Sequence, residues 1–96
     1  MMSYVDDIRN LLSLGKSDEA ISLADRLMIG GCGGDAAGLA NLYYLRGNAH
    51  GQKGELGAAL NSYLEAISLE PDGPAREAYR ALQQVMEFYD KDRYNP

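Results

Sequence analysis

The sequence predicts an all-α chain of about two antiparallel helix–turn–helix repeats, stacked as an α–α superhelix and finished by a C-terminal closing helix. Three observations predict it. Apolar residues recur at helical spacing along most of the chain. The sequence aligns with itself at an offset of 39 positions, which sets Tyr4 against Tyr43, Gly15 against Gly54, Ala20 against Ala59, Ile21 against Leu60 and Met28 against Ile67. A glycine separates the two apolar stripes of each unit. With 96 residues the chain forms a single domain, 1–96, whose core is too small to enclose a large active site.

Unit one, residues 3–29, opens with apolar positions 4, 5, 8, 11 and 12, one face of a helix. Gly15 suits the left-handed position that closes it, Ser17 suits the cap of the next helix, and Asp18 and Glu19 favour that helix's positive N-terminus. The triplet Gly15-Lys16-Ser17 also resembles the end of a phosphate-binding loop. That reading needs a glycine at position 10, where Asn10 stands, and a strand leading in, where a helical stripe stands. The repeat places the triplet opposite Gly54-Glu55-Leu56, so it reads as a turn between helices. The second helix carries Ala20, Ile21, Ala24, Leu27 and Met28, and its counterpart in unit two carries Ala59, Leu60, Tyr63, Ala66 and Ile67. Alanines on such stripes let paired helices approach closely, and the tyrosine fills the wider part of the interface.

Residues 30–34, Gly-Gly-Cys-Gly-Gly, read as an enlarged flexible loop, with Asp35 capping the helix after it. Unit two spans 35–71. Pro71-Asp72-Gly73-Pro74 then ends it, with Asp72 the expected cap of a closing helix over 74–90 whose apolar face is Ala78, Tyr79, Leu82, Val85, Met86 and Tyr89. Such a helix covers the apolar side that a last repeat would expose. The segment 91–96 carries no stripe and reads as a tail.

Residues 40 to 71, ANLYYLRGNAHGQKGELGAALNSYLEAISLEP, resemble a tetratricopeptide repeat: Tyr43, Gly47, Ala59, Tyr63, Ala66 and Pro71 fall on signature positions in the right spacing. Arg46 stands where the family usually has leucine, and His50 where it prefers an aromatic. Unit one is a weaker version, in which Tyr4, Gly15 and Ala20 fit while Ile8 and Leu27 replace small residues. The family period is about 34 residues, so the surplus of the 39-residue offset falls in the glycine loop. The closing stretch is similar to the ends of small stand-alone bacterial repeat proteins.

The resemblance implies a protein–protein interaction module, an adaptor or scaffold, that binds a peptide or partner helix in a concave groove and performs no catalysis. It places Asn41, Tyr44 and Asn48 on the groove wall, with Arg9, Arg80 and Gln84 beside them. Asparagine amides can grip a peptide backbone, Tyr44 offers a flat amphipathic contact, and the arginines can pair with carboxylates. Relatives that clamp a terminal carboxylate use lysines where this chain has Val5 and Tyr44, so that activity is not carried over. An alternative is structural homo-oligomerisation, because Tyr4, Val5, Leu11 and Leu12 offer more apolar surface than two short helices cover.

Composition narrows the partners. A net charge of −5 argues against nucleic-acid and anionic-membrane binding, which need concentrated Lys and Arg. The acidic amino terminus lacks the basic, then apolar, pattern of a secretory signal, no apolar run reaches the length of a membrane span, and the single Cys32 forms no internal disulfide; these features point to the cytoplasm. A remote Cys/His hydrolase reading would join Cys32 to His50, yet the four glycines around Cys32 hold no geometry. Neither zinc-ligand spacing nor a complete calcium loop is present, so no metal or cofactor is expected.

Overall fold

The computed structural model describes the backbone of residues 4–31 and 34–94 and the side chains of residues 4–31 and 34–88; Cys32 and positions 95–96 lie outside the described residues. Five helices follow one another: α1 Tyr4–Ser13, α2 Ser17–Ile29, α3 Ala36–Gln52, α4 Leu56–Leu69 and α5 Ala75–Tyr94. No strand occurs among the described residues. The all-α repeat fold expected from the sequence is the one observed.

The two helical hairpins close with the same turn. Gly15 and Gly54 take φ of 74° and 77°, a conformation open to glycine because it lacks a Cβ. In the first turn the Lys16 amide donates to the Leu11 carbonyl and the Gly15 amide to Leu12; in the second, Glu55 donates to His50 and Gly54 to Gly51. Each pair satisfies two of the carbonyls left without partners at a helix end. The matching bonds at matching positions give the sequence repeat a physical basis.

Helix starts are less uniform. Asp35 caps α3, its Oδ1 accepting from the Gly38 amide at 2.8 Å. Ser17 does not cap α2. It is the first helical residue, and its hydroxyl donates instead to Gln52 Oε1 at 2.7 Å, while Gln52 Nε2 donates to the Leu12 carbonyl at 3.0 Å. Gln52 thereby ties the α1–α2 turn to the end of α3. Asp72 also stands away from the cap position expected of it: the Ala78 amide donates to the Pro74 carbonyl, so Pro74 precedes the first turn of α5.

Two apolar clusters share α3. Ile8 of α1 and Ala20 and Ala24 of α2 pack on Leu42, Leu45 and Ala49 of α3. Ala59, Tyr63 and Ala66 of α4 and Ala75 of α5 pack on Ala40 of α3. Because α3 is covered from both sides, its apolar residues do not form a single stripe. Tyr4, Val5, Leu11 and Leu12 are half-buried against the first cluster, where α3 absorbs much of the apolar surface that two helices alone would expose.

The most extensive helix pairing is between α3 and α4. A Cβ built on Gly47 would stand 2.5 Å from Tyr63 Cε1, so the ring lies on the bare backbone of α3. α5 covers α4 with Ala78, Tyr79 and Leu82. Val85, expected on that same face, is 44% exposed. The helix also continues to Tyr94, beyond the stop expected at 90, since residues 91–94 contain neither glycine nor proline to interrupt its hydrogen bonds.

Three stability outcomes follow from this packing. Gly47→Ala is expected to destabilise the fold by about 1–3 kcal/mol in denaturant melts, because Tyr63 cannot yield the space. Gly51→Ala, where nothing lies within 4 Å of the added methyl, is expected to stabilise by about 0.5 kcal/mol. Removing residues 74–96 uncovers Ala66 and Ile67 and is expected to abolish the cooperative melt followed by circular dichroism.

Candidate functional site

Asn41 and Tyr44, one helical turn apart on α3, line the same pocket. The pocket has a volume of about 180 Å³ and lies where α3, the end of α4, the following loop and the start of α5 meet. Buried Ala40, Ala66 and Ala75 give it an apolar floor. Glu70 and Gly73 form the opposite wall. No hydrogen bond or ion pair among the described residues engages the Asn41 amide or the Glu70 carboxylate. Glu70 belongs to the end of α4 rather than to the groove-lining helices, which is why family resemblance alone does not point to it.

Asn48 is engaged from within the fold. Its Oδ1 accepts from the Tyr63 hydroxyl at 2.6 Å, which commits that oxygen to joining α3 and α4. Tyr44 and Tyr63 lie with ring centroids 6.1 Å apart and planes inclined by 37°. Burial, with a smaller contribution from Tyr44, pushes the Tyr63 hydroxyl up to about 12. Arg9, Arg80 and Gln84 are exposed and do not line the pocket with Asn41 and Tyr44.

Arg46, the departure from the family's leucine, bridges three helices. Its Nε donates to Asp25 Oδ1 of α2 at 2.7 Å and its Nη1 to the buried Ser62 hydroxyl of α4 at 3.0 Å. A charged side chain is held between helices only when its donors find such partners.

His50, the other departure, sits in a charged cluster at the α3–α4 turn. Its Nδ1 is 2.8 Å from Glu55 Oε1, and its Nε2 is buried with no partner among the described residues. The hydrogen bond with His50, aided by Lys53, holds the Glu55 carboxyl below its ordinary range. The hydrogen bond to Asp18 raises Lys53. These contacts join the second turn to the start of α2. Glu55 also engages Nδ1 of the imidazole that a Cys/His pair would require, while Cys32 itself lies outside the described residues. Among the described residues no group of His, Cys, Asp and Glu is placed to hold a metal ion.

The paired helices and their repeated turns define a helical-repeat protein. The tetratricopeptide-repeat model matches residues 40–72, most of the second hairpin. The solution NMR structure of Bacteroides fragilis protein BF1650 is similar to the chain, with a TM-score of 0.83 and 33% sequence identity over 98% of this chain and 91% of that one. None of the curated proteins compared with the chain matches it. The chain belongs to the tetratricopeptide-repeat family.

The raised Tyr63 hydroxyl makes a pH prediction. Its folded value lies above the ordinary 10.0, so its stabilising contribution is complete below that value and is lost as pH rises toward about 12. Tyr63→Phe is expected to cost about 0.5–1.5 kcal/mol at neutral pH through the lost bond to Asn48. Urea melts should show the gap between wild type and variant narrowing once the pH passes 10.0.

Proposed function

We propose that the protein is a non-catalytic interaction module, an adaptor or scaffold, which binds a peptide or helix of another protein across the face that carries Asn41 and Tyr44. The single observation that carries this reading is the open pocket between α3, α4 and α5, where polar groups with no internal partner surround an apolar floor. Family membership supports the same class, since repeats of this kind bind proteins through the face built by their first helices. Asn41 and Tyr44 form the centre of the proposed surface. Asn48 supports it through Tyr63, and Arg9, Arg80 and Gln84 extend it at the exposed margins.

The reading includes neither cofactor nor metal, nor binding to nucleic acid or membrane. No helix among the described residues is long and apolar enough to cross a membrane. A cytoplasmic location, proposed from the single cysteine, is open to test by cell fractionation.

A second reading, self-association, draws on the exposed apolar side chains of α5, where Val85 and Phe88 are 44% and 64% exposed. A molar mass that rises with concentration in light scattering would favour it.

The primary test is affinity capture with the full chain as bait and Asn41→Lys, whose long cationic side chain crowds the pocket beside Glu70, as control. Asn41 is half-buried at the pocket wall and has no internal bond to lose, so the variant should melt as the wild type does. A partner retained by the wild type and lost by the variant is the expected outcome. A partner held equally by both would remove Asn41 from the binding surface.

A further inference from the structure

We infer that the pocket between α3, α4 and α5 receives a basic side chain, lysine or arginine, presented by the partner protein. This deepens the interaction-module reading and rests on it. Four properties of the pocket converge on that chemistry.

The first is charge. Glu70 is the one Asp, Glu, Lys, Arg or His on the lining, and its carboxylate makes no hydrogen bond or ion pair among the described residues. Unpaired surface carboxylates are common, but this one stands at a concave site, where a bound cation loses less to solvent screening than on an open surface. The second is depth. The floor of Ala40, Ala66 and Ala75 offers apolar surface along which the methylene stem of lysine or arginine can lie while its charged head stays at the rim. The third is Tyr44, a lining residue whose side chain is an aromatic ring of the kind that attracts ammonium and guanidinium groups. The fourth is the Asn41 amide, whose oxygen is a free acceptor for an N–H donor.

Other occupants fit less well. An acidic side chain would face Glu70 with no cation on the lining to offset it. A purely apolar side chain would strip water from Glu70 and Asn41 without replacing their hydrogen bonds, which penalises binding. The chain's net charge of −5 further favours the approach of a basic segment. Across the same loop, an adjoining depression carries Asp72 and Glu77 together with Arg76, so its balance of charge is also acidic.

The test uses the full ¹⁵N-labelled chain and four capped pentapeptides of glycine with lysine, arginine, norleucine or glutamate at the centre. Amide signals of Asn41, Gly73 and Ala75 report on the pocket. The lysine or arginine peptide is expected to shift them, with an effect that weakens as salt is added. Glu70→Gln is expected to reduce that affinity about five-fold, the scale of a solvent-accessible ion pair. Ala37→Leu, which narrows the mouth without touching Glu70, should reduce it as well. Comparison of the lysine and arginine peptides identifies the preferred head group.

Equal shifts from the norleucine peptide, unchanged in Glu70→Gln, would overturn the basic assignment and leave the interaction-module reading standing. Absence of pocket shifts with every peptide would also overturn the assignment. The capture experiment with Asn41→Lys then decides the broader reading independently.

Discussion

Much of this fold depends on a side chain that is absent. Gly47 lets the Tyr63 ring rest directly on the backbone of α3, and no larger residue leaves room for it. The approach allows the Tyr63 hydroxyl to reach Asn48 and brings its ring against Tyr44. A glycine within a helix costs about 0.5–1 kcal/mol relative to alanine. Burial of most of a tyrosine, together with a hydrogen bond across the helix pair, outweighs that cost. The same contact fixes the position of Tyr44, and with it one wall of the candidate site.

Polar cross-links then align the hairpins. Arg46 joins α2, α3 and α4 through Asp25 and Ser62, while Gln52 joins the α1–α2 turn to the end of α3 through Ser17 and the Leu12 carbonyl. The apolar contacts between hairpins involve many small residues, which pack closely but specify relative rotation weakly. Directional hydrogen bonds supply what the alanines lack. Their net contribution is modest for each bond, about 0.5–1.5 kcal/mol, yet a rotation of one hairpin against the other would leave the buried Ser62 hydroxyl and the Arg46 guanidinium without partners. Such a penalty favours one arrangement over its near neighbours.

The local logic of the chain was legible because it is local. Gly15 and Gly54 mark the turns, Asp35 caps α3, and the stripes of α2 and α4 are buried where their periodicity implies. Contacts between distant segments were not legible in the same way. Arg46 stood out as a departure from its family, but its partners are 16 and 21 positions away and nothing in spacing connects them. Ser17 has a residue type suited to capping, and tertiary structure directs its hydroxyl to Gln52, 35 positions on. Asn48 carries an amide suited to peptide binding, and Tyr63 engages its oxygen from inside the fold. A polar residue at a helix surface has several possible partners, and only packing selects among them.

The same use of small residues has opposite results at the two ends of the α3–α4 interface. Near Gly47 the space is filled by a ring from the facing helix. Near Ala40 it is bordered by Ala66 and Ala75, and among the described residues no large side chain from α4 or α5 enters. Tyr44, the aromatic residue between these regions, lies against Tyr63 and lines the pocket rather than filling it. A larger residue at 40, 66 or 75 would gain apolar burial in the free protein, about 0.8 kcal/mol for each methylene covered. The chain keeps alanine at all three positions and leaves Asn41 and Glu70 at the edge without internal partners. That combination forgoes stability in the isolated fold and retains a space whose polar rim and apolar floor suit an amphipathic side chain from outside.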